Sequence, residues 1–228
     1  MNHGRPREAE KRSSMLVLSA YNQEEQLDSG VNDIAGFHSI GSGQLKGGAR
    51  AALICASFGS AWMYWAVVFS GSQSPVWFSI VTVPAVVLTL WAILRVRAFR
   101  HLASSPGELA HWTRFRKFFW IDSAIEWGLG GVTVFVLGHL GRSDLIPQAL
   151  GVIIGLHFLP LAKIFAARLY YWTGAIMVIA AIGSFIIPRS DIRSVAECAA
   201  IGLILWLTGL VILRRITWQG NRLVNSEI

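Results

Sequence analysis

Six apolar stretches, each close to the length needed to cross a lipid bilayer, limit what this chain can fold into. A hydrocarbon layer of ~30 Å takes about 20 helical residues, and the stretches at about 51–70, 76–94, 118–139, 145–165, 169–187 and 195–213 meet or approach that length. Inside hydrocarbon every backbone amide must find its partner within the protein, which a helix achieves within one segment. The expected fold is therefore all-α, a polytopic membrane protein in which residues 46–216 form a bundle of six transmembrane helices with the lipid bilayer as their partner. The fifth and sixth stretches are slightly short, but flanking polar and basic side chains can reach an interface from them. Composition agrees, because only 14% of the residues are charged against roughly 25% in a soluble domain. Ten Trp and twelve Phe fit the headgroup boundary, where aromatic rings concentrate.

Basic residues set the expected orientation, since Lys and Arg in short loops are retained on the cytoplasmic side. Lys46 and Arg50, the group Arg95, Arg97, Arg100, Arg114, Arg116 and Lys117, then Lys163, Arg168, Arg214, Arg215 and Arg222 make thirteen on one side. Arg142, Arg189 and Arg193 make three on the other. The expected location is the cell membrane, an inner membrane, with both termini cytoplasmic. The net charge of +7 lies between apolar segments and not on a polar domain, so no nucleic-acid partner is expected.

Residues 1–45 are polar and rich in Ser, Gly and Asn, a composition that cannot bury enough apolar surface to offset the entropy of ordering. A disordered cytoplasmic tail is expected there, with a surface helix over about 14–26 as the alternative, and a short cytoplasmic tail over 217–228. Met15 to Leu18 is too short for a signal-peptide core, so targeting is expected from the first span. Ser105, Pro106 and Glu108 supply an N-cap, a first-turn proline and a capping-box glutamate, which predicts a helix start that leads into the third span. With short connections there is no room for a folded domain outside the membrane. Cys55 and Cys198 lie singly in apolar stretches, which argues against a disulfide framework or a structural metal.

An ionisable residue inside a span costs at least ~2.5–3.5 kcal/mol at the centre on insertion scales and so demands an explanation. Asp122 and Glu126 are four residues apart and share one face of the third span, a stripe that Ser123, Gly130 and Thr133 continue. A face of this kind must look toward other helices or toward water. Counting from Phe118 at ~1.5 Å per residue, Asp122 lies roughly 6 Å and Glu126 roughly 12 Å above the cytoplasmic boundary, and His157 on the antiparallel fourth span also lies at roughly 12 Å. Thr173 enters the fifth span near the level of Asp122. These four residues are the candidate proton or substrate site. Gly151 and Gly155 have the small-xxx-small spacing of close helix packing, on the face opposite His157. Glu197 and His139 are expected to be interfacial.

Two carboxylates that repel, with an imidazole to share a proton, can relay protons, hold a cation or act as a general acid. The structural alternative has Asp122 reaching out toward Arg116 or Lys117 while Glu126 and His157 make one interhelical hydrogen bond. There is no nucleotide-binding loop, His-rich metal motif or diagnostic nucleophile, so no cofactor is expected and catalytic residues cannot be named. The leading expectation is a small transport or permeation protein that works as a homo-oligomer. The alternatives are a membrane enzyme for a lipid or isoprenoid, with Glu126 or Asp122 as acid and Trp120, Trp127 and Tyr171 as pocket wall, or a non-catalytic assembly or sensor subunit. Transport calls for a polar path to both faces, catalysis for an aromatic pocket open to lipid, and assembly for a bundle without a cavity.

Overall fold

The computed structural model describes residues 42–72, 74–102, 106–164, 167–188 and 190–225, with side chains at all of these except 42, 106–115, 164, 190 and 221–225. The polar tail up to residue 41, the helix over 14–26 and the N-cap residue Ser105 lie outside the described residues.

Among the described residues the chain forms six α-helices: α1 Ser42–Phe69, α2 Pro75–Phe99, α3 Pro106–His139, α4 Ile146–Ile164, α5 Arg168–Gly183 and α6 Ser190–Asn225. All six are long and apolar enough to cross a membrane, so this is a multi-pass membrane protein. The helices overrun the apolar stretches. Residues 42–50 begin α1, the capped segment and the third span form one helix, and α6 carries the chain through residue 225. Hydropathy marks only the hydrocarbon portion of a helix, and basic residues extend it through the interface.

Two seams of small residues hold the bundle together. Along the antiparallel pair α1 and α6, a Cβ built on Gly59 would lie 2.9 Å from the carbonyl oxygen of Gly202, and one on Gly202 would lie 2.8 Å from that of Gly59. Gly48 faces Ile216, Gly209 faces Ala52 and Cys55, and Ala49, Ala52 and Ala56 are buried between the helices. Trp206 donates its indole N–H to Ser60 Oγ at 3.2 Å across this seam. The second seam joins α4 to α5, where a Cβ on Gly155 would lie 3.0 Å from the Gly174 carbonyl oxygen and one on Gly174 would strike the Gly155 carbonyl. Gly151 faces Ile201 and Glu197 on α6 and Ala181 on α5, which ties the two seams together.

The other two helices pack without paired glycines, α2 through Val81 and Ala85 against Val67 of α1 and Trp206 of α6. A hydrogen bond between Tyr64 and Thr82 hydroxyls, 2.7 Å long, links α2 to α1, while Val76, Val83 and Leu90 of α2 face outward. Helix α3 packs along α4 and scarcely touches α1. Among the described side chains of α3, from residue 116 on, one stripe of Phe119, Asp122, Ser123, Glu126, Gly130, Thr133 and Leu137 is partly covered. The three- and four-residue spacing of that stripe defines a single helical face. At the far end of α3, Gly141 takes a φ of +66°, and Arg142 N–H donates to the Leu137 carbonyl at 2.8 Å. This is a Schellman turn, which reverses the chain into α4. Asp144 in the turn contacts Arg142 at 3.4 Å and Arg193 of α6 at 3.3 Å, anchoring the α3–α4 connection.

If backbone contact at the second seam holds α4 to α5, Gly174→Ala lowers stability by about 1–3 kcal/mol, the usual cost of overpacking. Gly138→Ala, where an added Cβ meets nothing within 4 Å, leaves stability equal or raises it by about 0.5–1 kcal/mol through reduced backbone entropy. Thermal unfolding of both variants in detergent checks this contrast, and equal melting temperatures would refute it.

Candidate functional site

The covered face of α3 and the face of α4 opposite Gly155 meet at three ionisable side chains. His157 Nδ1 lies 3.1 Å from Asp122 Oδ2, and its Nε2 lies 3.3 Å from Glu126 Oε2. The imidazole stands between two carboxylates one helical turn apart, with its edge against the Phe158 ring at 6.3 Å. Asp122 turns inward to the ring, and both carboxylates share one imidazole, unlike the single Glu126–His157 hydrogen bond of the structural alternative. The approach is close but not aligned, because neither Asp122 Oδ2 nor His157 Nδ1 makes a hydrogen bond of acceptable angle. A neutral imidazole carries one N–H and can serve one carboxylate; an imidazolium serves both. The trio can therefore keep the same total charge in two ways, as an imidazolium between two carboxylates or as a neutral ring beside one protonated acid. Moving between them requires only an internal proton transfer.

The trio sits at the edge of a cleft of about 980 Å³ between α1, α3 and α4, with Glu126 and His157 in its wall. That volume lies at the upper end of the range for sites that hold small molecules. Phe58, Phe119, Trp120, Trp127, Phe158 and Tyr170 supply aromatic surface, and Lys46, Arg50 and Arg116 line the end nearest the start of α1. Lys46 donates to the Leu102 carbonyl at 2.5 Å. The cleft exists because α3 packs along α4 and meets α1 at few places, among them Phe58 against Trp127 with ring centroids 6.2 Å apart. Tyr171, expected as pocket wall, is 45% exposed on the outer face, and its neighbour Tyr170 takes the position in the cleft.

Thr173 is not brought to this site. It is buried and forms a 2.9 Å hydroxyl pair with Thr208 of α6, and it donates to the Leu169 carbonyl at 3.0 Å. Its level along the bundle was estimated from the sequence, but its direction around α5 depends on which helix α5 packs against. Gly151 and Gly155 lie in the packing seams described above. His139 is exposed and stacks on Phe135 with ring centroids 5.5 Å apart.

Glu197 corrects the sequence reading. It is 2% exposed and wholly buried, not interfacial. Helix α6 begins at Ser190 and not near residue 195, so Glu197 lies about two turns in, or ~10 Å along the axis. Gly151 makes room for it, because a Cβ there would lie 2.8 Å from Glu197 Oε1. Ser184 Oγ donates to Glu197 Oε2 at 3.4 Å. The Gln148 amide and Arg193 lie in the same neighbourhood, with Glu197 Oε1, both Gln148 amide atoms and Arg193 Nε lacking aligned hydrogen-bond partners. The available sequence signal was the pairing of Glu197 with Gly151, visible only once α4 and α6 are known to touch.

No protein-family model, curated protein or solved structure matches this chain.

A double-mutant cycle on Glu126→Gln and His157→Gln should give a coupling of about 0.5–3 kcal/mol in unfolding free energy, as for residues in direct contact. Additive single effects would show that the ring does not bridge the two helices.

Proposed function

We propose that this chain binds a lipid-soluble molecule that enters sideways from the bilayer, and that Asp122, Glu126 and His157 exchange a proton with a polar group that it carries. The observation that carries this reading is the position of Glu126 and His157 on the wall of an aromatic cleft beside a helix whose outer face is apolar, with Trp120, Ile121, Ile125 and Leu129 exposed. Such a wall offers a membrane-soluble substrate a surface like lipid, and the trio gives a general acid or base within reach of it. This favours the membrane enzyme acting on a lipid or isoprenoid over the small transport protein. The lining extends only as far as Phe58 on α1 and Trp127 on α3. The assembly reading receives less support, because it calls for a bundle without a cavity. In the orientation expected from the basic residues, with both termini cytoplasmic, the cleft would open in the cytoplasmic half of the membrane.

Transport keeps one observation of its own. Glu197, with Gln148 and Arg193, gives a second buried polar cluster near the Arg142 end of the bundle. A carrier for a proton-coupled solute would use both clusters in turn.

Filling the cleft separates these readings from a purely structural role. Ser123 lines it, and Ser123→Trp should reduce the amphiphile that copurifies with the protein at least about fivefold, a loss of about 1 kcal/mol in affinity, with the melting temperature unchanged. Extraction and mass spectrometry of bound lipids measure the ratio. Equal amounts in the two proteins would contradict the proposal.

A further inference from the structure

The cleft changes character along its length. At one end it is lined by Arg50 and Arg116; farther in it meets Glu126 and His157, and then the rings of Phe58 and Trp127. Arg50 and Arg116 are exposed, and neither is paired with a carboxylate among the described residues. Both stand where α1 and α3 enter their apolar segments, the level at which long basic side chains reach the interface. Two guanidinium groups at the mouth of an apolar cleft suit an anion that carries a long apolar tail. Guanidinium grips phosphate oxygens through paired N–H donors, a stronger and more oriented contact than a point charge provides. A cationic head would sit beside both arginines, and the carboxylates it would need are already faced by His157.

Depth adds a second constraint. Asp122 and Glu126 follow Arg116 by six and ten residues, which is ~9 Å and ~15 Å along the axis of α3. A head group held at the mouth places a stretch of tail roughly 9–15 Å behind it at the level of the trio, along Phe58 and Trp127.

We infer that the cleft takes an amphiphile with a phosphate head, bound by Arg50 and Arg116 at the interface, with a segment of its tail roughly 9–15 Å behind the head presented to Asp122, Glu126 and His157. This rests on the proposed sideways entry from lipid and adds to it the class of ligand. The head anchors the molecule, so the trio acts on a group farther along the tail and not on the phosphate itself.

The test measures binding of three amphiphiles with one alkyl chain and different heads, an alkyl phosphate, an alkyl trimethylammonium and an uncharged alkyl glycerol ether, to the full chain in neutral detergent by native mass spectrometry. The phosphate should bind at least about tenfold more tightly than the other two, the scale of one charge-assisted pair. The Arg50→Gln/Arg116→Gln variant should remove that preference while leaving binding of the uncharged compound within about twofold of wild type, since it keeps the apolar wall. Inorganic phosphate in excess should fail to displace the alkyl phosphate. Equal binding of all three heads would overturn the phosphate assignment and leave sideways entry standing, as would a preference that survives the double substitution. Displacement by inorganic phosphate would overturn the amphiphile in favour of a free anion. Binding of none of the three would overturn this inference and the proposed function together.

Discussion

Backbone contact between glycine-bearing helices is the constraint on which the rest of this structure depends. In a bilayer the lipid tails are as apolar as leucine, so helices gain little by hiding apolar side chains from lipid and associate through close packing and polar contacts. Gly59 against Gly202 and Gly155 against Gly174 bring two helix pairs to backbone distance. Small side chains, including Ala52, Ala56, Ala181 and Cys198, are buried beside larger ones such as Met177, Ile201 and Trp206. Gly151, turned toward both α5 and α6, holds the pairs together and makes room for the buried carboxylate of Glu197.

Helix α3 has no such seam. Gly128, Gly131 and Gly138 face open space, and Gly130 meets only the end of Leu150, 3.4 Å from where a Cβ would stand. What holds α3 to α4 at the level of the site is polar: two carboxylates on one imidazole. The same arrangement that leaves α3 apart from α1 therefore opens the aromatic cleft and places the trio at its wall. Structural and chemical roles coincide here, because the groups available for acid–base work also join α3 to the bundle. This coincidence makes the double-mutant coupling and the ligand measurements complementary, since a purely structural trio would show the first without the second.

Much of this could be read from the sequence, for identifiable reasons. Span length and charge gave six helices, because hydrocarbon thickness and the cost of unpaired amides leave few alternatives. The four-residue interval between Asp122 and Glu126, with equal rise along antiparallel neighbours, gave the level at which these side chains and His157 stand. Rotation of helices distant in sequence was not legible. Thr173 points to Thr208 on α6 and not to the trio, and Tyr170 takes the place in the cleft expected of Tyr171. Glu197 was misplaced because its helix starts at Ser190, beyond the apolar stretch that hydropathy reveals. The gap between α3 and α1 has no counterpart in any single helix; it follows from which glycines find partners.

The most direct measurement is the environment of a nitroxide attached at Ser123→Cys, on the cleft side of α3, in liposomes, with Cys55 and Cys198 replaced by alanine. Power saturation compares its accessibility to oxygen, which concentrates in lipid, with its accessibility to a water-soluble nickel chelate. A cleft open to the bilayer gives high oxygen and low nickel accessibility. Low accessibility to both would mean that the cleft is filled by protein and would contradict the account of a site entered from lipid.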